Sequence, residues 1–157
     1  KGGIAKCQTW DNATLLCNTR DIATGQTFPM TIKTHRIAPG NKNTWYIEIL
    51  GTNASARWSS KQANTLEILE YKQDAEQAWQ VIDMGHEMAF KSITGGIFEV
   101  GFSDVILQMW AAFLYELANG KPLDRFAACV TPQEAALSHR LFSAALASHE
   151  TSTTVKL

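Results

Sequence analysis

The sequence lacks a charge excess of either sign. Fourteen Lys and Arg stand against fifteen Asp and Glu in 157 residues, a formal net charge of -1. No basic run is present, so the electrostatic case for a nucleic-acid partner or an anionic membrane surface is missing. No apolar run approaches the roughly 20 residues of a membrane-spanning helix, and the stretch opening on Lys1-Gly2-Gly3 is not expected to be a signal peptide. Cysteine is scarce: Cys7, Cys17 and Cys129 are odd in number, widely spaced and without a CxxC pair. They read as buried free thiols of a reducing compartment, and a cytoplasmic location is expected.

Chemical motifs are equally scarce. His35, His86, His139 and His149 show no HxH or HExxH spacing, and no acidic cluster accompanies them, so no metal is expected. No GxSxG or phosphate loop is present, and no nucleophile–base pair stands out. Gly95-Gly96 lacks the GxGxxG layout and is not followed at once by a helix, which removes a dinucleotide fingerprint.

What is present in the first half is strand language. Ile4 to Trp10 and Ala13 to Arg20 alternate apolar with polar around Asp11-Asn12, which predicts a hairpin. Thr27 to Arg36 follows, with Pro29 favouring an edge or a bulge. After the dense turn signal Ala38 to Asn43 come Thr44–Leu50, Ala54–Ser59, Asn64–Tyr71 and Ala78–Met84. Short spacing between six or seven strands predicts one large antiparallel meander.

The second half changes period. Ser103 with Asp104 predicts a helix start; Val105, Met109, Ala112, Phe113 and Glu116 follow helical spacing, Ile106, Trp110, Phe113 and Leu117 broaden the apolar face, and Asn119-Gly120 is its stop. Thr131-Pro132-Gln133-Glu134 is a capping box with proline at the first helical position, and Leu137, Leu141, Ala144 and Ala145 form the stripe behind it. Thr153 to Leu157 is read as a last short strand. The fold class is therefore α+β: one large, mostly antiparallel sheet with two or more helices on one face. Its other face is left open, and the many strand aromatics make that face a candidate interface between copies.

The best functional candidate is the segment from His35 through Arg36, Asn41 and Asn43 to Trp45. An imidazole, a guanidinium, two amides and an indole gather there at a strand–loop–strand junction. Such groups hydrogen-bond hydroxyls or carboxylates and stack on an apolar sugar face.

Those residues also carry a resemblance. Arg36-x-Ala38-x-Gly40-x-x-Asn43 followed by Tyr46 to Trp58, then Met109–Leu114 through Gly120-Lys121-Pro122, Thr131–Ala136, and Ala144–Ser148 through Val155–Leu157 come in an order that resembles the Gfo/Idh/MocA oxidoreductases. Asn53-Ala54 departs from the pattern, which has a glycine there. The resemblance implies the C-terminal substrate and oligomerisation domain, 1–157, with a glyceraldehyde-3-phosphate-dehydrogenase-like sheet. It also implies NAD or NADP in the full-length protein, a sugar, inositol or polyol substrate, and a homo-dimer or tetramer through the open sheet face. The Rossmann domain, the EKP-like lysine and the acidic residue and histidine of the family's site match no stretch, so no catalytic residue is expected in this chain and none of its activity in isolation. Lys121-Pro122 lacks the preceding glutamate. Arg36, Asn41, Asn43, Trp45 and His35 are then the expected substrate-facing residues. A second reading of another class remains, a non-catalytic sheet-mediated binding or assembly module.

Overall fold

The computed structural model describes residues 2–3, 10–85, 87–124 and 127–157. The order is β1 (Asn12–Arg20), β2 (Thr27–His35), β3 (Tyr46–Leu50), β4 (Ala54–Ser59), a 3-10 turn (Ser60–Gln62), β5 (Thr65–Glu70), β6 (Gln80–Asp83), α1 (Phe102–Asn119) and α2 (Pro132–Thr151). The class is α+β with antiparallel strands throughout. The single large sheet is not formed. The strands divide into a two-stranded sheet, β1-β2, and a four-stranded sheet, β3-β4-β5-β6. The chain accordingly divides into two compact units, Lys1–Lys42 with Ala136–Leu157, and Asn43–Ala135.

In the first unit, period-2 patterning holds. Ala13, Leu15, Cys17 and Thr19 are half-buried while their neighbours on β1 are exposed. Direct pairing puts Leu15 against Ile32 and Cys17 against Met30, which gives the hairpin one apolar side. Pro29 faces Asn18, and a two-stranded sheet leaves β2 the free edge that a residue without an N–H requires. The strand expected at Ile4 to Trp10 falls largely outside the described residues; among the described ones β1 pairs with β2.

The turn joining β1 to β2 closes on Asp21. Its carboxylate accepts from the Ala23 N–H at 2.9 Å and the Thr24 hydroxyl at 2.5 Å. The Thr24 hydrogen bond, then the Ala23 one, holds the Asp21 carboxyl below its ordinary value of 3.8. At the start of α2 the capping box forms as expected. Glu134 accepts from Thr131 N–H and hydroxyl, each at 2.8 Å, and Thr131 Oγ1 accepts from Glu134 N–H at 3.2 Å. Those Thr131 bonds, the backbone one first, hold Glu134 below its ordinary 4.5.

Both carboxyls bind protons more weakly folded than unfolded. Their stabilisation is complete above the unfolded values and is lost as pH falls through the folded ones. Thermal melts should therefore decline as pH drops below about 4.5, and E134Q, which keeps a capping amide but cannot titrate, should soften that decline. An unchanged pH profile in E134Q would show that the box does not couple to stability.

Three local expectations change. α1 is capped by Gly101, not Ser103. Glycine has no capping side chain, and the Asp104 carboxylate instead accepts from the Gly101 N–H at 2.8 Å. Thr153–Leu157 forms no strand; Ser152 takes the left-handed conformation (φ 54) that ends α2. The apolar stripe of α1 is also turned outward: Trp110 is 55% and Leu117 72% exposed. The covered stripe runs instead through Asp104, Gln108, Ala111, Ala112, Tyr115 and Glu116. Polar anchors select it, because Gln108 clasps the Phe90 backbone (N–H to Oε1 2.9 Å, Nε2 to O 2.8 Å) and Glu116 accepts from the Cys129 N–H at 2.6 Å. In α2, Leu141, Ala144 and Ala145 are half-buried as expected, but Leu137 is exposed. Ala112 is the one buried residue among those described.

Candidate functional site

The Arg36-to-Trp45 segment is split between the two units. His35, Arg36 and Asn41 belong to the first, Asn43 and Trp45 to the second. At the open end of the β1-β2 hairpin, His35 Nδ1 lies 3.2 Å from Asn12 Oδ1. The Arg36 N–H donates to the Asp11 carbonyl at 2.6 Å, and its guanidinium pairs with the Asp11 carboxylate at 3.6 Å. Both partners are mostly exposed, so this ion pair is screened and contributes little to stability. The Arg36 guanidinium thus stands beside one carboxylate, Asp11, at the hairpin end. Asn41 is a turn former, donating from its N–H to the Ala38 carbonyl at 3.0 Å.

In the second unit, Asn43 adopts φ 49, a left-handed position that asparagine tolerates. The Trp45 backbone is fixed by two bonds, its N–H to Ser60 Oγ and the Ser60 N–H to its carbonyl, each at 2.9 Å. Its indole is 65% exposed.

Register divides the four-stranded sheet into two unlike faces. Ile47, Trp58, Leu66 and Ile82 lie across from one another in one row, and Ile49, Ala56, Ile68 and Gln80 in the next, which makes this face mostly apolar, with Glu70 opposite Ala54 at its end. On the other face the row is Glu48, Arg57, Glu67 and Val81. Arg57 donates to Glu67 Oε2 from Nε at 2.9 Å and from its terminal nitrogen at 2.5 Å. The Trp79 ring covers the guanidinium at 4.2 Å. The Glu67 hydrogen bond holds Arg57 charged, while partial desolvation and then the Glu48 hydrogen bond raise the Tyr46 phenol above its ordinary value. Sequence reasoning missed this cluster. Its signal is that β3, β4 and β5 each carry one ionisable residue near the middle, and direct register brings the three together.

The same unit holds a cleft of about 300 Å³ between the Ala63-Asn64 turn, the Met84–Ala89 segment and the first turns of α1. Met84, Met88 and Val105 give it an apolar floor. Asn64 and Glu87 are polar at its wall, and the Asn64 amide donates to the Glu99 carboxylate. The Gln108 clasp on Phe90 fixes the wall that carries Met88.

Nucleophilic and metal chemistry find little support among the described residues. Burial, then the Glu116 charge, pushes the Cys129 thiol above its ordinary value, the wrong direction for a reactive thiolate. Cys17 and Cys129 are free and half-buried, and Cys7 lies outside the described residues. No group of three or more His, Cys, Asp or Glu among the described residues is placed to hold a metal ion. No described helix is long and apolar enough to cross a membrane.

Both helix starts present a carboxylate: Asp104 accepts from the Gly101 N–H and Glu134 from the Thr131 N–H. No family model matches the chain, and neither does any curated protein or solved structure.

Proposed function

We propose that this chain is the substrate-holding and assembly-forming part of a nicotinamide-dependent oxidoreductase of the Gfo/Idh/MocA type, acting on a CH–OH group of a sugar, inositol or related polyol. The reading rests on the order and spacing of the segments from Arg36 to Leu157. A meander with one apolar and one charged face, followed by helices, is compatible with it. NAD or NADP is then held by a separate dinucleotide-binding domain, which also supplies the catalytic groups. This chain binds and orients substrate; the candidate substrate-facing groups are His35, Arg36 and Asn41 on the first unit and Asn43 and Trp45 on the second. With the Asp11 carboxylate beside it, Arg36 acts as a hydrogen-bond donor to hydroxyls rather than as an anion trap.

Assembly through the apolar sheet face belongs to the same proposal. That face is what favours the second reading, an assembly module without catalysis: Ile47 and Ile49 lie side by side at the β3 edge, 55% and 61% exposed. A cytoplasmic location accords with the free thiols.

The deciding experiment supplies the full-length protein with NAD or NADP and a panel of sugars and inositols. Reduced nicotinamide should form with at least one polyol, while calorimetry on residues 1–157 alone should show no micromolar dinucleotide binding. Assembly without turnover on any polyol would favour the non-catalytic module.

A further inference from the structure

We infer that the outward face of α1 docks against α1 of a second copy of this chain, the two helices running antiparallel about a twofold axis. This surface is distinct from the sheet face, and nothing in the inference depends on the oxidoreductase reading. Composition is the first argument. Asp104 and Glu116 are the only charged residues of α1, and both lie on its covered stripe. At about 3.6 residues per turn, Phe102, Ile106, Met109, Trp110, Phe113 and Leu117 fall within an arc of roughly 100° on the other side. Each of the six is between 39% and 72% exposed. A helix that meets water permanently keeps its polar residues on that face. Helix α2 does so, with His139 and Arg140 among its exposed positions.

Area is the second argument. Half exposed, six side chains of this size leave on the order of 600–800 Å² on one helix, close to the roughly 800 Å² that each partner gives to a standard interface. Val105 and Leu114, both exposed, flank the arc and widen it. A solitary copy would carry this as one patch, at or above the roughly 300–600 Å² of the largest patch on a typical monomer.

The order of residues along the helix selects the arrangement. The midpoint of Phe102–Asn119 falls between Trp110 and Ala111. Trp110 packs edge-on against Phe113 with ring centroids 6.0 Å apart, so an aromatic pair occupies the centre of the patch. A twofold axis through that midpoint brings the pair of one copy onto the pair of the other, at the place where interface anchors carry most of the energy. The same axis sets Leu114 and Leu117 of one copy against Phe102 and Ile106 of the other. The helix dipoles then oppose, and no like charges meet along the seam. Together with the sheet face, two different twofold contacts on one chain close a tetramer.

The test compares the full-length protein with Trp110→Glu, Leu117→Glu and His139→Glu by analytical ultracentrifugation, with helix content checked by circular dichroism. The two α1 variants should weaken one association step by at least about a hundredfold and halve the particle mass at micromolar concentration, because a carboxylate enters the seam without a counter-charge. His139→Glu puts the same group on α2 and should leave the mass unchanged. A photo-reactive benzoylphenylalanine in place of Phe113, in protein mixed from isotopically light and heavy copies, should cross-link to α1 of the other copy. Should the α1 variants lose helix content, that cross-link decides alone. An unchanged mass in folded Trp110→Glu and Leu117→Glu, an equal loss in His139→Glu, or cross-links confined to a single copy overturn the inference. A mass halved by Ile49→Asp but by neither α1 variant would overturn it too and leave the sheet interface standing.

Discussion

Replacing Gly51 with alanine is expected to lower the melting temperature by several degrees. Gly51 precedes the turn between β3 and β4, and its N–H donates to the Ala54 carbonyl at 3.0 Å. A Cβ on Gly51 would lie 2.7 Å from that same carbonyl oxygen. No flexible side-chain end is available to move aside; the obstacle is backbone. The hairpin must open until the hydrogen bond lengthens or breaks, which costs about 1–3 kcal/mol in strain and lost pairing. For a chain of this size each kcal/mol corresponds to about 2–4 °C. Gly3→Ala is the matched control, since a Cβ there meets nothing within 4 Å. Equal melting of the two variants would show that the β3-β4 turn relaxes freely.

The same turn shows how the sequence encodes this hairpin. Asn53-Ala54 stands where the resembled family pattern has a glycine, yet neither residue has a positive φ, so neither position requires one. The steric demand sits at Gly51. Strand positions were legible because alternation and turn residues are local signals: β2 to β6 lie within one or two residues of the segments read from the sequence in most cases. Pairing was not legible. Nothing in the alternation of Ala13 to Arg20 distinguishes a partner before it from one after it, and the division into two sheets depends on long-range pairing. Helix α1 shows a different gap. Of the residues its hydrophobic period picked out, Ala112 and Glu116 are covered, but Ile106, Trp110, Phe113 and Leu117 are exposed, because Gln108 and Glu116 bond to the Phe90 and Cys129 backbones and turn their own side inward. The cleft is the least legible feature. Its walls come from three segments that are remote in sequence, and no spacing rule joins Asn64, Met88 and Val105.

Ile49→Asp should dissociate the assembly proposed for the apolar sheet face. Ile49 lies beside Ile47 on β3, across from Ala56 and in the same row as Ile68. At 61% exposure its side chain contributes little to the fold of the separate chain, so a carboxylate there is hydrated and tolerated. Buried against a second copy, that carboxylate loses its water and finds no cation on its own face, where Ile47, Trp58, Leu66, Ile68 and Ile82 are joined by Ala56, Gln80 and Glu70. An unpaired charge in such an interface costs about 3 kcal/mol or more, roughly a hundredfold or greater loss in association. A twofold interface would double the penalty, since the substitution enters from both partners. Leu50→Asp tests the direction. Leu50 is adjacent on the same strand and 72% exposed, but alternation puts it on the face of Glu48 and Arg57. Light scattering on the full-length protein at micromolar concentration should give a smaller particle for Ile49→Asp and an unchanged one for Leu50→Asp. The opposite result would place the interface on the charged face, and an unchanged mass for both would remove the sheet from the assembly altogether.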